Sequence, residues 1–152
     1  MVLHDMYGNA PRRAFAGELN DLGDEGTEIY LALLSVNYTP DRSAHETWDD
    51  VSADEITNDG DSNDDGYTSG GQEVNNKSLS ESNNMTTFDG DDVTWEDSTI
   101  DAGYAILYDD TPTDDVDKSL LTLVDFEGEE SSEDGDFTIE WDDDGIFQID
   151  AS

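Results

Sequence analysis

The sequence contains no cysteine, only three prolines and no long apolar run. Without cysteine, the chain can form neither a disulfide scaffold nor a cysteine-ligated metal site. No apolar run approaches the roughly 18–20 residues that a membrane-spanning helix needs. Residues 1–7 also lack the basic and apolar regions of a secretory signal. We therefore expect a soluble chain, or a part of a soluble assembly.

Basic residues are scarce: five Lys and Arg stand against 41 Asp and Glu, for a formal net charge of −36. Binding to a phosphate backbone needs clustered Lys or Arg, so this composition argues against nucleic acid as a partner. The same charge is repelled by anionic membrane surfaces. We expect neither a nucleic-acid nor a membrane partner.

The acidity has two competing interpretations. Low hydrophobicity with high net charge is the compositional mark of disorder, and the apolar fraction here is 34 %. The alternative is a folded protein adapted to high salt, because the Debye length falls to roughly 3 Å at about 1 M and a carboxylate shell then repels itself weakly. Three Trp, six Tyr and five Phe at strand-like spacings favour the folded, halophilic interpretation.

Strand patterns separated by turns fill most of the chain. The stretch from Phe88 to Tyr108 is the strongest: it predicts a turn at Asp89-Gly90, a short strand with Val93 and Trp95, a second turn and then a longer strand. Ile100 to Tyr108 is apolar on both faces, which predicts a strand buried on both sides. A buried helical turn is the alternative for so short a run, but the β-branched and aromatic residues and the flanking turns favour a strand. The predicted interior residues of this stretch are Val93, Trp95, Tyr104, Ile106 and Tyr108. The other predicted strands are Thr27–Val36, Gln72–Leu79, Met85–Asp89, Ser119–Phe126, Asp136–Trp141 and Gly145–Asp150.

These patterns predict an all-β fold: a single β-sandwich or jelly-roll-like domain over residues 27–152. Ser80 to Asn84 is expected to separate two strands of a hairpin. Residues 127–135 are predicted to form an acidic loop, and residues 142–145 a hairpin turn with a favoured Asp-Gly pair. A second short helix is predicted near residues 43–51, with a capping box from Ser43 and Glu46 and with Trp48 and Val51 facing the core.

Residues 1–26 form a predicted N-terminal arm with a short helix from Arg12 to Leu22. Phe15, Leu19 and Leu22 have helical spacing on one face. Two of the five basic residues, Arg12 and Arg13, stand side by side in this arm. They are either the solvated start of a helix or, together with Phe15, part of a docking arm.

One segment matches the first half of a calcium loop. Asp61, Asn63 and Asp65 place oxygen ligands at positions 1, 3 and 5, and Gly66 follows at position 6. Position 12 should be a bidentate Glu but is Gln72. In a chain this rich in Asp, such partial matches arise by chance, so a solvated acidic loop is the simpler interpretation, and no cofactor is otherwise expected.

No catalytic constellation is visible in the sequence. A Ser-His-Asp set would need His4 or His45, and there is no nucleophile elbow, P-loop or dinucleotide fingerprint. Acidic pairs are so common that none is singled out as a glycosidase pair. We do not expect an enzyme.

Segments spread over most of the chain carry a resemblance to a known family. They follow one order along the sequence: Tyr7-Gly8 with Ala14 to Leu22, the strand ending at Asn37-Tyr-Thr-Pro40, His45 to Val51, Gly66 to Gly71, Phe88 to Trp95, Thr99 to Tyr108, Leu123 to Phe126 and Gly135 to Phe147. Together they resemble a family of small structural proteins of tailed double-stranded DNA viruses. Its members are called head-decoration, head-fibre or minor structural proteins.

The resemblance implies a virion protein on the capsid surface, as a decoration or turret component. It implies homo-oligomers, trimers or pentamers that follow capsid symmetry, in contact with the major capsid protein or a neighbouring virion protein. A host-attachment module that binds a receptor or glycan on the host cell surface is the alternative, and head versus tail stays open. The acidity and an Asp-rich insert at residues 58–65 depart from the family, and a haloarchaeal tailed virus would supply both.

Overall fold

The computed structural model describes residues 5–58 and 65–151. Within these residues the fold is all-β, as predicted, with one short α-helix. The elements are β1 (Asp5–Met6), α1 (Ala10–Phe15), β2 (Ile29–Leu34), β3 (Gln72–Glu73), β4 (Ser78–Ser82), β5 (Met85–Asp89), β6 (Val93–Asp109), β7 (Leu120–Ile139) and β8 (Phe147–Asp150). None of the helices in these residues is long and apolar enough to cross a membrane.

The described strands form two antiparallel sheets, one in the order β1-β7-β6-β2-β3 and the other in the order β4-β5-β8. Strand β2 shows why the large sheet is central. Leu31 and Leu33 pack in the same cluster as Phe88 and Phe147 of the small sheet. Ala32 and Leu34, which point to the opposite face, belong to a second cluster. Around β2 the larger sheet is therefore buried on both faces.

Residues 93–108 of the predicted central stretch form one strand, β6, where two strands were predicted, and Phe88 belongs to β5. Asp97 has a positive φ of 49° and marks a register shift within the strand. Of the predicted interior residues, Val93, Trp95, Ile106 and Tyr108 are buried and Tyr104 is half-buried. An irregular ladder thus carries the backbone through a polar segment that was expected to be a turn.

The prediction of a loop over residues 127–135 is wrong, because these residues lie within β7. Their backbone pairs with β6, for example Ala102 with Glu130 and Ser98 with Gly135. The register slips near Glu127 and Gly128, which both have positive φ. Pairing does not require burial of side chains, so acidic residues remain solvated along the ladder. We call residues 96–101 of β6 and 125–136 of β7 the acidic ribbon.

The hairpin predicted at residues 142–145 does not pair its two flanking strands. Gly145 adopts a φ of 113° and the chain turns there, but β8 crosses to the small sheet and pairs with β5. In that sheet β4 and β5 are joined by Asn83 and Asn84, both at positive φ, as a two-residue hairpin turn requires. The five-residue separation predicted for this hairpin is therefore too long, and the predicted strand Gln72–Leu79 is divided between the two sheets.

Both predicted helices are shorter than expected. Helix α1 ends at Phe15, shortly before Gly17 at a φ of 76°, and does not continue to Leu22. The second segment is a 3-10 helix, Trp48–Asp50, whose capping box uses Thr47 and Asp50 in place of Ser43 and Glu46. Trp48 is buried, as predicted.

The described part of the N-terminal arm packs on the large sheet. Asp5 and Met6 pair with Leu123 and Thr122 of β7. Tyr7 is fully buried, and Ala10 belongs to the core cluster between the sheets. The boundary at residue 26 remains a prediction.

Candidate docking surface

An apolar groove opens where α1 approaches the inner face of the small sheet. Its volume is about 280 Å³, close to the lower limit for small-molecule pockets. The lining residues are Met6, Ala10, Pro11, Ala14, Leu19, Asn20, Asp21, Leu22, Leu79, Thr86, Leu121, Phe147 and Ile149. We call this feature the α1 groove.

The floor of the α1 groove is the part of the small sheet that the core does not cover. Phe88 and Phe147 stack in the interior with ring centroids 5.3 Å apart. Leu79 is the cross-strand partner of Phe88 and therefore points to the same face. Leu79 and Ile149 are nevertheless 42 % and 41 % exposed. The face of the small sheet that packs on the core is therefore partly exposed to solvent at Leu79 and Ile149.

Phe15 belongs to α1, the helix that supplies Ala10, Pro11 and Ala14 to the α1 groove. It follows Pro11 by four residues on α1, so the two side chains share a helix face. The prediction that Phe15 shares an apolar face with Leu19 and Leu22 is wrong, because the helix ends at Phe15. Leu22 is buried, whereas Phe15 is 94 % exposed. Among the described residues, three of the five exposed large apolar side chains, Phe15, Leu79 and Ile149, belong to this surface.

The two predicted docking arginines have different environments. Arg13 is buried, and its Nε donates a 2.7 Å hydrogen bond to Ser119 Oγ while its Nη1 pairs with Glu18 at 3.0 Å. This side chain therefore anchors α1 to the fold. Arg12 pairs with Glu46, and its side chain is 54 % exposed. Only Arg12 and Phe15 of the three predicted docking residues are accessible to a partner.

A third arginine lies beside the same segment. Arg42 Nη1 donates a 2.8 Å hydrogen bond to the carbonyl of Met6, which lines the α1 groove. Three of the five basic residues of the chain, Arg12, Arg13 and Arg42, are thus gathered around the start of the fold. The few basic residues of this acidic protein are therefore concentrated here, with Arg12 paired to Glu46 and Arg13 to Glu18.

One wall of the α1 groove is held by a buried carboxylate. Asp109 Oδ2 accepts hydrogen bonds from the backbone N–H and side-chain Nδ2 of Asn20, at 3.0 and 2.8 Å. Its other oxygen accepts the N–H of Thr111 at 3.0 Å. Asp109 is fully buried, so these bonds offset the cost of removing its charge from water. They fix the segment that follows α1 against the end of β6.

Behind α1, a pair of tyrosines fixes the start of the helix. Tyr7 Oη and Tyr38 Oη share a 3.0 Å hydrogen bond, and Tyr38 Oη lies 2.8 Å from His45 Nδ1. The carbonyl of Tyr7 accepts the N–H of Ala10 at 3.1 Å. Burial raises the pKa of both Tyr7 and Tyr38, so both stay neutral at ordinary pH. We assign this pair a structural role.

A second buried network joins Glu55 to the loop of residues 66–71, which precedes β3. Tyr67 Oη and Gly70 N each donate a 2.6 Å hydrogen bond to Glu55 Oε2. Burial, together with the charge of Glu55, raises the pKa of Tyr67 well above its usual value. Tyr67 Oη in turn accepts the N–H of Leu33 at 3.1 Å. The loop is therefore tied to β2 on one side.

Of the three predicted calcium ligands, only Asp65 lies in the described residues. Asp65 is exposed, and its carbonyl accepts the N–H of Thr99 at 2.9 Å. Asp61 and Asn63 lie outside the described residues. Within residues 5–58 and 65–151, no three His, Cys, Asp or Glu side chains are grouped so that they could hold a metal ion. The calcium loop stays a prediction.

Sequence reasoning missed the α1 groove. Leu79 and Ile149 are isolated apolar residues in polar strands, and isolated apolar residues are normal on protein surfaces. They form a surface only because β4, β5 and β8 pair in one sheet. Phe15 was named from the sequence as part of a docking arm, and that role stays a prediction.

Comparison with known proteins gave no match: no family model, no curated protein and no solved structure matches this chain.

Proposed function

We propose that this protein is a structural component of a virion: a decoration or turret protein on the capsid surface of a tailed virus from a salt-rich habitat. The observation that carries the proposal is the pairing of a carboxylate-rich exterior with one apolar docking surface, the α1 groove and Phe15. A protein that stays soluble in brine and still attaches to a larger particle needs both. The family resemblance supplies the identity of the particle.

The docking surface suits attachment to a neighbouring virion protein or to another copy of the chain. Apolar contact is strengthened when salting-out ions are excluded from protein surfaces. Repulsion between copies is screened at the same salt concentration. Homo-oligomers, trimers or pentamers set by the symmetry of the capsid, follow from the proposal.

Copy number in purified particles tests this function directly. Quantitative mass spectrometry of particles kept in high salt should find on the order of tens to hundreds of copies, as repeated capsid positions dictate. About three to six copies would place the protein on the tail. Its absence from particles would overturn the proposal.

Host attachment is the alternative, and one observation favours it. The Glu55 network joins Glu55 to Tyr67 and Gly70, so described residues on both sides of residues 59–64 are held together. Residues 59–64 include three Asp and are the predicted contact with a receptor or glycan. Deleting residues 59–64 spares these contacts, so loss of binding to intact host cells with unchanged incorporation into particles would favour attachment over decoration.

A further inference from the structure

We propose that the α1 groove of one copy receives the Phe15 side chain of a second copy of the same chain. This rests on the proposed function in that it names one partner of the docking surface. The reason is self-complementarity: helix α1 carries the protruding Phe15 ring and also lines the apolar groove with Ala10, Pro11 and Ala14. In a closed homo-oligomer each copy then donates one ring and receives another, either as a reciprocal pair or around a symmetric ring.

The dimensions of the two features agree with this pairing. The groove, at about 280 Å³, suits one or two side chains better than a drug-sized ligand. Its lining comes from regular elements and includes Ala14 on α1 and Leu79 on β4. An aromatic side chain buries roughly 150–250 Å². Two such contacts per copy supply a substantial part of the roughly 800 Å² per partner of a standard interface.

The charges near the groove favour contact between two groove surfaces over contact between two acidic ribbons. Arg12 and Arg42 lie beside the docking surface, and so do acidic residues such as Glu18 and Asp21. Two such surfaces can therefore place opposite charges across their contact. A contact between two acidic ribbons would place only carboxylates opposite each other, because residues 96–101 and 125–136 contain no Lys or Arg. Like charges placed opposite each other cost free energy.

The test is the mass of the purified chain in solution, measured by light scattering over a concentration series in about 2 M NaCl. The wild-type chain should form an assembly of two or more copies. Phe15→Ser removes the ring at a position that is almost fully exposed, so it should leave the fold intact. It should raise the concentration for half-assembly at least about tenfold.

A second variant tests the other half of the contact. Leu79→Trp fills the groove from a half-exposed position and should weaken assembly as strongly as Phe15→Ser does. Mixing the two variants should give a mixed pair held by one ring–groove contact, because one variant supplies the open groove and the other supplies the ring. Val36→Ser, at an exposed apolar residue outside the groove, is the matched control and should assemble as the wild type does.

Two results would overturn the proposal: a single-copy mass for the wild-type chain throughout the series, or an assembly that persists unchanged in Phe15→Ser or Leu79→Trp. Circular dichroism of each variant at the same salt concentration confirms that the fold is retained. Because the measurement uses purified chain, it can fail while the protein is still found in particles. Conversely, self-association can be observed even if particles lack the protein.

Discussion

The α1 groove and the acidic ribbon share strand β7 and differ in how they meet solvent. At one end of the strand, Leu121 lines a groove of apolar side chains with arginines beside it. Farther along, the ribbon carries ten Asp and Glu, three on β6 and seven on β7, and no basic residue. The backbone pairing with β6 is the same in kind at both ends. Backbone pairing thus forms the sheet along β7, while the side chains determine which part of the strand can contact another protein.

The groove region and the ribbon also differ in what stabilises them. Near the groove, the strands are covered by apolar side chains on both faces. Along the ribbon, most side chains are exposed, and the ladder is interrupted by register shifts. We therefore expect the ribbon to depend on salt and the remainder of the sheet to depend on packing. Four predictions test this division.

The largest effect is expected where the ribbon joins the core, at Trp95. This side chain is buried and lies against Phe137 and Tyr67, with ring centroids 6.1 and 5.8 Å away. Trp95→Ala should lower the free energy of unfolding by about 3–5 kcal/mol, measured by denaturant titration in high salt.

Trp95→Phe is the matched control for that substitution. The indole N–H has no hydrogen-bond partner in the described part of the chain. Its removal relieves an unsatisfied buried donor, which offsets part of the lost packing. If Trp95→Phe lowers the free energy of unfolding as much as Trp95→Ala does, the result would contradict the attribution of that free energy to aromatic packing.

The second prediction concerns the groove half of the molecule, where Tyr7 and Tyr108 are buried. Burial raises the pKa of both hydroxyl groups above the ordinary value of about 10. Their contribution to stability is therefore complete below pH 10 and is lost as the pH rises above it. The slope should reach about 1.4 kcal/mol per pH unit for each tyrosine.

Tyrosinate absorbance checks this in high salt. The folded chain should show fewer ionised tyrosines near pH 11 than the unfolded chain, and the remainder should ionise as the fold is lost. Equal titration of folded and unfolded chains would contradict the burial of these two hydroxyls.

The third prediction uses salt to separate the two regions. Lowering the ionic strength from about 1 M to about 0.1 M lengthens the Debye length from roughly 3 to 10 Å. Hydrogen exchange at Ile100, whose N–H bonds Ser132 Oγ, should accelerate on the order of tenfold. Exchange at Tyr7, whose N–H bonds the carbonyl of Leu121, should change much less. Equal acceleration of exchange at both amides would contradict the proposal that the ribbon depends on salt and the remainder of the sheet on packing.

The smallest effect is expected from a single charge reversal. Glu130 is exposed and pairs with Ala102 in the ribbon. Glu130→Lys should raise the free energy of unfolding by about 0.5 kcal/mol at about 0.1 M salt, because cross-strand charge effects have this magnitude. The gain should vanish near 1 M salt. A gain of the same size at both salt concentrations would point to a cause other than charge.

The central strands could be predicted from the sequence because β-branched and aromatic residues between turns favour a strand over a buried helical turn. Leu31 to Leu34 and Ala105 to Tyr108 are apolar at consecutive positions, which requires cover on both faces of a strand. Aromatic residues at strand-like spacings favoured a folded chain over a disordered one. Among them, Trp48, Trp95 and Trp141 are buried in the fold.

The acidic half of β7 could not be predicted, because its strand structure comes from its partner. Glu129 and Glu130 have low strand propensity, and no alternation marks their segment. Nor could the destination of β8 be predicted. Gly145 indicates a turn, but a local turn does not decide which sheet receives the next strand. The α1 groove depends on that long-range pairing and was missed with it.

The most direct test of the central claim, that the α1 groove is the contact surface and the ribbon is exposed to solvent, is an electron-microscopy map of the intact particle in high salt. The account predicts that helix α1 and Phe15 face a neighbouring subunit and that residues 125–136 point into solvent. A map in which the ribbon is buried against the particle while Phe15 faces solvent would contradict it.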